Sequence, residues 1–485
     1  MGMEQNQLES RELKLILFPS NERTTGQVGT IAMFVLSFIL VIVSILYHHG
    51  GIIHPESHSY LPYYLSDKPL INKLYDSRIL DQDMYQAREL SYLFDYLDSK
   101  FIEWSISKGH PHFLSATTYI FLFITGMLIW RFCTIKLQLS SVFGTSFVLL
   151  FWTSPSIFLA GNFFRSAKVG VALLVTLLFM AIYDFLISTD QINEQATSFQ
   201  PWLVFFLLSL GMALFDRQGV YFAAMALTFF MFWSLFFPNK RMLIPISALA
   251  GALLLGHFYN RQIGPFLTQV LNHYSPNFTY QMIPLWKPLQ HPAVYAWAGT
   301  SLYLDNLRFL LGNIPALLPG ACLLILIIIL GYKLTRDIKS SRRLSRVTVT
   351  GLGLFLCMVV LLIGLDALMV LRHTPIFDAD IRRGYYWIPQ VALLTLTVAL
   401  CTSYLIKRFP SSKTIIILFL FLAILGNILA LPVHNQIVIQ GYIEQSYEYS
   451  PRLLYALQHL ASPQNEVPAD VYQDPIYQWF RNSLP

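Results

Sequence analysis

Two aspartates flank a single glutamine in ILDQDMYQARELSYLF (79–94), and an Arg-Glu pair follows at Arg88 and Glu89. A carboxylate can take the proton from a hydroxyl or coordinate a hard divalent cation, and two close together can divide those tasks. Asp81 and Asp83 are therefore the candidate catalytic pair. If Mg²⁺ or Mn²⁺ assists, they are also the candidate metal ligands. A nearby cation such as Arg88 would keep a carboxylate ionised, so Arg88 and Glu89 join the set as candidate substrate-binding residues. The same stretch also reads as an ordinary helix start, with Asp81 as N-cap and Asp83 in the first turn. On that reading Arg88 and Glu89 only hold the helix in place.

Three further clusters carry charge. GNFFRSAK (161–168) places Arg165 and Lys168 three residues apart, on one face of a helix start. They could bind an anion or simply anchor the chain by snorkelling. FDRQG (215–219) sets Asp216 and Arg217 between two apolar runs, as a substrate-facing pair or a structural ion pair in a tight turn. DADIRRGYYW (378–387) contains Arg382, Arg383 and Tyr385. The guanidinium fork matches phosphate geometry, and the aromatic run suits a stacked sugar ring or an interface belt. In the bland version the two arginines balance Asp378 and Asp380.

The elements that position these residues are membrane spans. Of 485 residues, 55% are hydrophobic and 12% charged, where a soluble domain has about 25% charged. Apolar runs at 30–47, 114–130, 141–160, 169–187, 200–215, 220–237, 242–258, 307–331, 349–371, 386–405 and 414–432 are each near the length that crosses about 30 Å of hydrocarbon. The fold class expected is all-α and polytopic, with about eleven transmembrane helices. Only DRQG parts the fifth and sixth runs. Lys and Arg concentrate in RFCTIK, PNKR, YKLTRDIKSSRRLSR and IKRFPSSK, which places the N-terminus inside and the C-terminus outside. The formal charge of +6 follows from those loops and calls for no nucleic acid. The four cysteines lie in or beside apolar runs and make neither a disulfide framework nor a zinc spacing. The organisation is an inner tail (1–29), a bundle (30–432) with a long outer loop (48–113), and an outer tail (433–485). Within the loop, Met84, Ala87, Leu90, Leu93, Phe94, Leu97, Phe101 and Trp104 recur at helical spacing, with Arg88, Asp95, Asp98, Ser99 and Glu103 opposite. This predicts an amphipathic helix along the outer interface, its apolar stripe toward lipid or the bundle.

Acidic residues in a first outer loop, an interfacial helix and a many-span bundle together resemble the GT-C superfamily of membrane glycosyltransferases. The resemblance is one of layout, over roughly 30–400, and identifies no subfamily. It implies a sugar donor carried on a polyprenyl phosphate or diphosphate, and an acceptor hydroxyl on a glycan, lipid or protein. It also implies an acidic motif at Asp81 and Asp83, and cations for the carrier phosphate at Arg382 and Arg383. Transfer with inversion is expected, in a bacterial inner membrane with the site facing the periplasm or cell exterior. Two other classes stay open on the same residues: a transporter or flippase of a lipid-linked or anionic substrate, and a glycan polymerase or ligase.

Overall fold

Apolar runs interrupted by single polar residues dictate where the helices break. The computed structural model describes residues 34–35, 38–39, 63–64, 66–76, 85, 87–108, 115–154, 156–157, 166–188, 199–236, 239–276 and 387–429. The chain divides into two compact units, Met1–Ser44 and Ile45–Pro485. In the first, residues 34–35 and 38–39 are helical. The helices that follow belong to the second.

Among the described residues there are helices and no strand. They are α1 (Leu70–Leu74), α2 (Glu89–Ser107), α3 (Ala116–Arg131), α4 (Ser141–Trp152), α5 (Ala167–Ser188), α6 (Phe199–Phe215), α7 (Arg217–Phe236), α8 (Leu243–Phe258), α9 (Gly264–Asn272) and α10 (Ile388–Arg408), with α11 at Ser412–Leu429. Six helical stretches are long and apolar enough to cross a membrane: 116–136, 167–187, 217–235, 240–272, 388–407 and 412–429. Two shorter apolar helices, α4 and α6, complete the described bundle. The runs at 30–47, 307–331 and 349–371 lie wholly or largely outside the described residues.

Helix α5 packs against α3, α6 and α10, and α6 against α7 and α8. The centre is aromatic. Phe132 meets Phe179 and Tyr183 edge-on, and Phe185, Phe205 and Phe230 form a mutual T-shaped trio. Such rings supply dispersion and quadrupole contacts, which drive helix association where there is no water to expel. Small residues admit them. A Cβ at Gly126 would lie within 2.8 Å of three atoms of the Trp152 indole, whose Nε1 donates to Leu122 O at 3.0 Å.

Hydrogen bonds fix which helix ends meet. At one end α2 contacts the starts of α3 and α5, Lys168 reaches Asp216 between α6 and α7, and Gln218 reaches Gln390 near the start of α10. At the other, Lys136 after α3 pairs with Asp184 near the end of α5, and Ser403 near the end of α10 donates to Leu137 O. Successive helices from α3 to α8, the two shorter ones included, therefore alternate in direction. Lys136, Lys240, Arg241 and Lys407 follow the helix ends to the second end.

Two lengths differ from the sequence expectation. The helix expected at 242–258 continues through a π-helical turn (Tyr259–Ile263) into α9, giving 33 residues from Lys240 to Asn272. At 1.5 Å per residue that is about 50 Å, well beyond the hydrocarbon thickness, so part of it stands clear. Conversely α4 stops at Trp152, short of the expected 160, where Thr153-Ser154-Pro155 follows. Proline disfavours helix in the residue before it.

Candidate functional site

Helix α2 is where the long first loop meets the bundle. It begins at Glu89, and residues 85, 87 and 88 before it are not helical. A single helix capped by Asp81 and running through to Trp104 is therefore corrected. Asp81 and Asp83 lie outside the described residues, as do Arg165, Arg382, Arg383 and Tyr385.

Much of the polar face of α2 is buried. Asp95 and Asp98 are 2% and 1% exposed, while Leu97 and Trp104 are 49% and 55% exposed. The apolar stripe divides between the two directions left open for it: Ala87 is buried and Phe94 packs on the bundle, while Leu97, Phe101 and Trp104 are exposed. The carboxylates face inward because they cap other helices. Asp98 Oδ1 accepts from Thr117 N at 2.9 Å, and Oδ2 accepts from Ser115 Oγ at 2.5 Å and Thr117 Oγ1 at 2.6 Å. Asp95 Oδ1 accepts from Ser166 N at 2.8 Å and Ser166 Oγ at 2.9 Å. The orphan N–H groups and positive dipole ends of α3 and α5 are thus met by carboxylates from a different helix.

Beside these caps sits an ion cluster. Asp216 separates α6 from α7 and caps α7 itself, accepting from Gln218 N at 2.9 Å. Its Oδ1 also takes Lys168 Nζ at 2.7 Å, and Arg88 Nη2 lies 3.3 Å from its Oδ2. Lys168 is 5% exposed and Asp216 2%. Burial alone would raise the Asp216 carboxyl. Lys168, Arg88 and the Gln218 N–H outweigh it and hold the group well below the usual carboxylate range. Below the cluster the rings of Phe94, Phe121 and Phe215 pack together, Phe94 stacked on Phe215 at 5.7 Å between centroids. Gly170 admits the Phe215 ring, and Gly219 lets the start of α7 pass the Met212 carbonyl.

The structure thus brings together three of the residues singled out from sequence, from separate stretches: Arg88, Lys168 and Asp216. Arg217, expected as the partner of Asp216, begins α7, and the ion pairs described for Asp216 come from Arg88 and Lys168. Glu89 is buried at the same end. Tyr85 Oη donates to its Oε1, and burial pushes its carboxyl up to about 7, partly offset by the hydroxyls of Tyr85 and Tyr259. The long helix supplies the neighbouring wall. Tyr259 Oη pairs with Tyr75 Oη at 2.7 Å, and Asn260 Oδ1 accepts from Ala87 N at 3.0 Å. Among the described residues no group of three or more His, Cys, Asp or Glu could hold a metal ion.

Sequence reasoning missed the cross-capping by Asp95 and Asp98, the Gln218–Gln390 bridge at 3.1 Å, and the tyrosines around Glu89. Part of the signal was present. Ser115 and Ser166 each sit at the N-cap position of an apolar helix, and α2 offers two aspartates three residues apart.

No family model, curated protein or solved structure matches the chain.

Proposed function

We propose that the protein is an integral membrane glycosyltransferase of GT-C layout. It would move a sugar from a polyprenyl-phosphate-type carrier to an acceptor hydroxyl on one face of the membrane. The observation that carries the reading is the buried Arg88–Asp216–Lys168 cluster, held where several helix ends converge. Two cations share one carboxylate there, at an end of a bundle whose helices are apolar enough to sit in lipid. A cationic centre in such surroundings suits a lipid phosphate, and its charge would favour the departing anion as the glycosidic bond breaks. The exposed apolar residues of α2, Leu97, Phe101 and Trp104, offer a surface for the lipid tail. In this proposal a carboxylate of the first loop, Asp81 or Asp83, orients or deprotonates the acceptor, and the oxygen attacks the anomeric carbon opposite the phosphate. Arg165, Arg382, Arg383 and Tyr385 would complete the donor site, with Mg²⁺ or Mn²⁺ at Asp81 and Asp83 if a metal assists.

The topology proposed is about eleven spans with the N-terminus inside. The basic residues at the second end of the bundle support that sidedness, because Lys and Arg favour the cytoplasmic side. The site then faces the periplasm or cell exterior of a bacterial inner membrane, in cell-envelope glycan synthesis.

Purified protein in lipid nanodiscs, supplied with a panel of polyprenyl-phosphate sugars and acceptors, tests this. Wild type should consume one donor and release the carrier, and the folded Asp81→Asn/Asp83→Asn double variant should not. Undiminished turnover in that variant removes the assigned base. Movement of a donor across vesicles with no glycosidic product would favour a flippase.

A further inference from the structure

Five carboxylates are buried among the described residues of this end: Asp76, Glu89, Asp95, Asp98 and Asp216. Four of them are hydrogen-bonded or ion-paired on both oxygens. Asp76 takes Tyr274 Oη on Oδ1 and Lys68 on Oδ2. Asp95 takes Ser166 on one oxygen and Ser91 on the other, and Asp98 is held by Ser115 and Thr117. Asp216 has Lys168 on one oxygen and Arg88 facing the other. Glu89 breaks the pattern. Tyr85 serves its Oε1, while its Oε2 is buried and accepts no well-formed hydrogen bond. A structural carboxylate in so dry a place would be fully paired, because an unmet buried acceptor costs its desolvation. An oxygen left open in this way suits a group that takes up and gives away a proton.

The surroundings provide a path for it. The hydroxyls of Tyr85 and Tyr259 lie close to one another and to the Glu89 carboxyl, and Tyr259 pairs with Tyr75. Tyr85 is buried with Glu89, whereas Tyr75 and Tyr259 are each partly exposed. Four oxygens thus lead from a buried carboxylate toward the surface. Each tyrosine can donate one proton while accepting another.

We propose that Glu89 is a proton-transfer group, and that Tyr85, Tyr259 and Tyr75 pass its proton to water at this end of the bundle. The proposal rests on the glycosyl-transfer reading for the source of the proton. The acceptor O–H bond breaks, its oxygen forms the new bond to the anomeric carbon, and the carbon–oxygen bond to the carrier breaks with its electron pair leaving on the phosphate. The first-loop carboxylate that takes the proton, Asp81 or Asp83, hands it on to Glu89. The Glu89 O–H then turns to Tyr85, Tyr85 donates to Tyr259, Tyr259 to Tyr75 and Tyr75 to water, which restores the carboxylate. A Glu89 carboxyl near neutrality can be both filled and emptied in this cycle.

The full chain in nanodiscs tests this by two readouts. Infrared difference spectroscopy follows the protonated carboxyl band between about pH 5 and 9. Wild type should show a band that disappears over that range, absent in Glu89→Gln and shifted in pH by Tyr259→Phe. Turnover with whichever polyprenyl-phosphate sugar of the panel above wild type consumes should fall on the order of 100-fold in Glu89→Gln. In Glu89→Ala, added imidazole should recover part of it. Tyr259→Phe should lower the rate while leaving donor KM unchanged. Wild-type turnover in folded Glu89→Gln overturns the proposal. If wild type transfers no sugar at all, the reading above fails and the band decides alone. A titrating band moved by Tyr259→Phe supports the proton path, and a band that never titrates sinks it.

Discussion

Replacing Asp216 should separate two kinds of stabilisation in one position. Its carboxylate faces Lys168 at 2.7 Å and Arg88 at 3.3 Å, and it also caps α7 through Gln218 N. Taking one partner from a buried ion pair costs about 3–5 kcal/mol. Losing an N-cap costs about 1 kcal/mol more. Asp216→Ala loses both terms. Asp216→Asn keeps an oxygen for Gln218 N and loses only the charge, so the two variants should differ by about 1 kcal/mol. Combining Asp216→Asn with Lys168→Met in a double-mutant cycle isolates the pair, with a coupling toward the upper part of the roughly 0.5–3 kcal/mol range. Reversible unfolding in mild detergent titrated with SDS, followed by tryptophan fluorescence, measures all of these. The pH dependence has a definite sign. A depressed carboxyl contributes stability above its unfolded pKa and loses it only as pH falls through the lower folded value. Here that is strongly acid solution, so the Asp216→Asn deficit should be flat across neutral and mildly acidic pH. Additive single variants, each costing under about 0.5 kcal/mol, would refute the buried ion cluster.

Glu89 carries the opposite sign. Its folded pKa is raised from 4.5 to about 7, so its contribution is full below about pH 4.5 and is lost as pH rises to about 7. Glu89→Gln should be more stable than wild type above that window, by on the order of 3 kcal/mol, and should match it in acid; denaturation curves at both ends check this. Gly126→Ala drives a methyl into the Trp152 indole and should cost about 1–3 kcal/mol, with a visible change in tryptophan emission. Asp98→Ala strips three donors at the start of α3; hydrogen exchange at Thr117 and its neighbours should quicken, and unprotected amides in wild type would refute the cap. Single cysteines at Lys240 and His273, near opposite ends of the long helix, should react with a membrane-impermeant reagent from opposite sides.

The sequence made the helices legible where apolar runs are long, because a bilayer leaves few other structures for such runs. Eight of the eleven expected runs fall on described helices. Even the doubtful division between the fifth and sixth holds, with Asp216 the one residue between α6 and α7. Their ends were less legible. Tyr259, Asn260 and Arg261 read as the start of a loop, yet a π-helical turn carries the helix on. The amphipathic helix was legible, but hydropathy alone could not say that its carboxylates turn inward, since their partners, Ser166 and Thr117, come from later helices. Likewise Lys168 and Asp216 could be placed on one face of the membrane from sidedness, but not paired, because 48 residues separate them. Glu89 was found as a charge beside Arg88. Its tyrosine neighbour Tyr259 lies far along the chain on the protruding helix, which no local pattern announces.

Cross-capping by α2 also has a consequence for how the chain is made. Helix α2 is synthesised before either helix it serves, and Asp95 finds Ser166 across 71 residues. Until α5 has been inserted, the Oδ1 of that carboxylate lacks both of its Ser166 donors. The first loop therefore closes onto the bundle late. Its closure marks that α3 and α5 are both in place, and a chain stalled before α5 would show an undocked acidic helix at the membrane surface, where proteases and chaperones can find it.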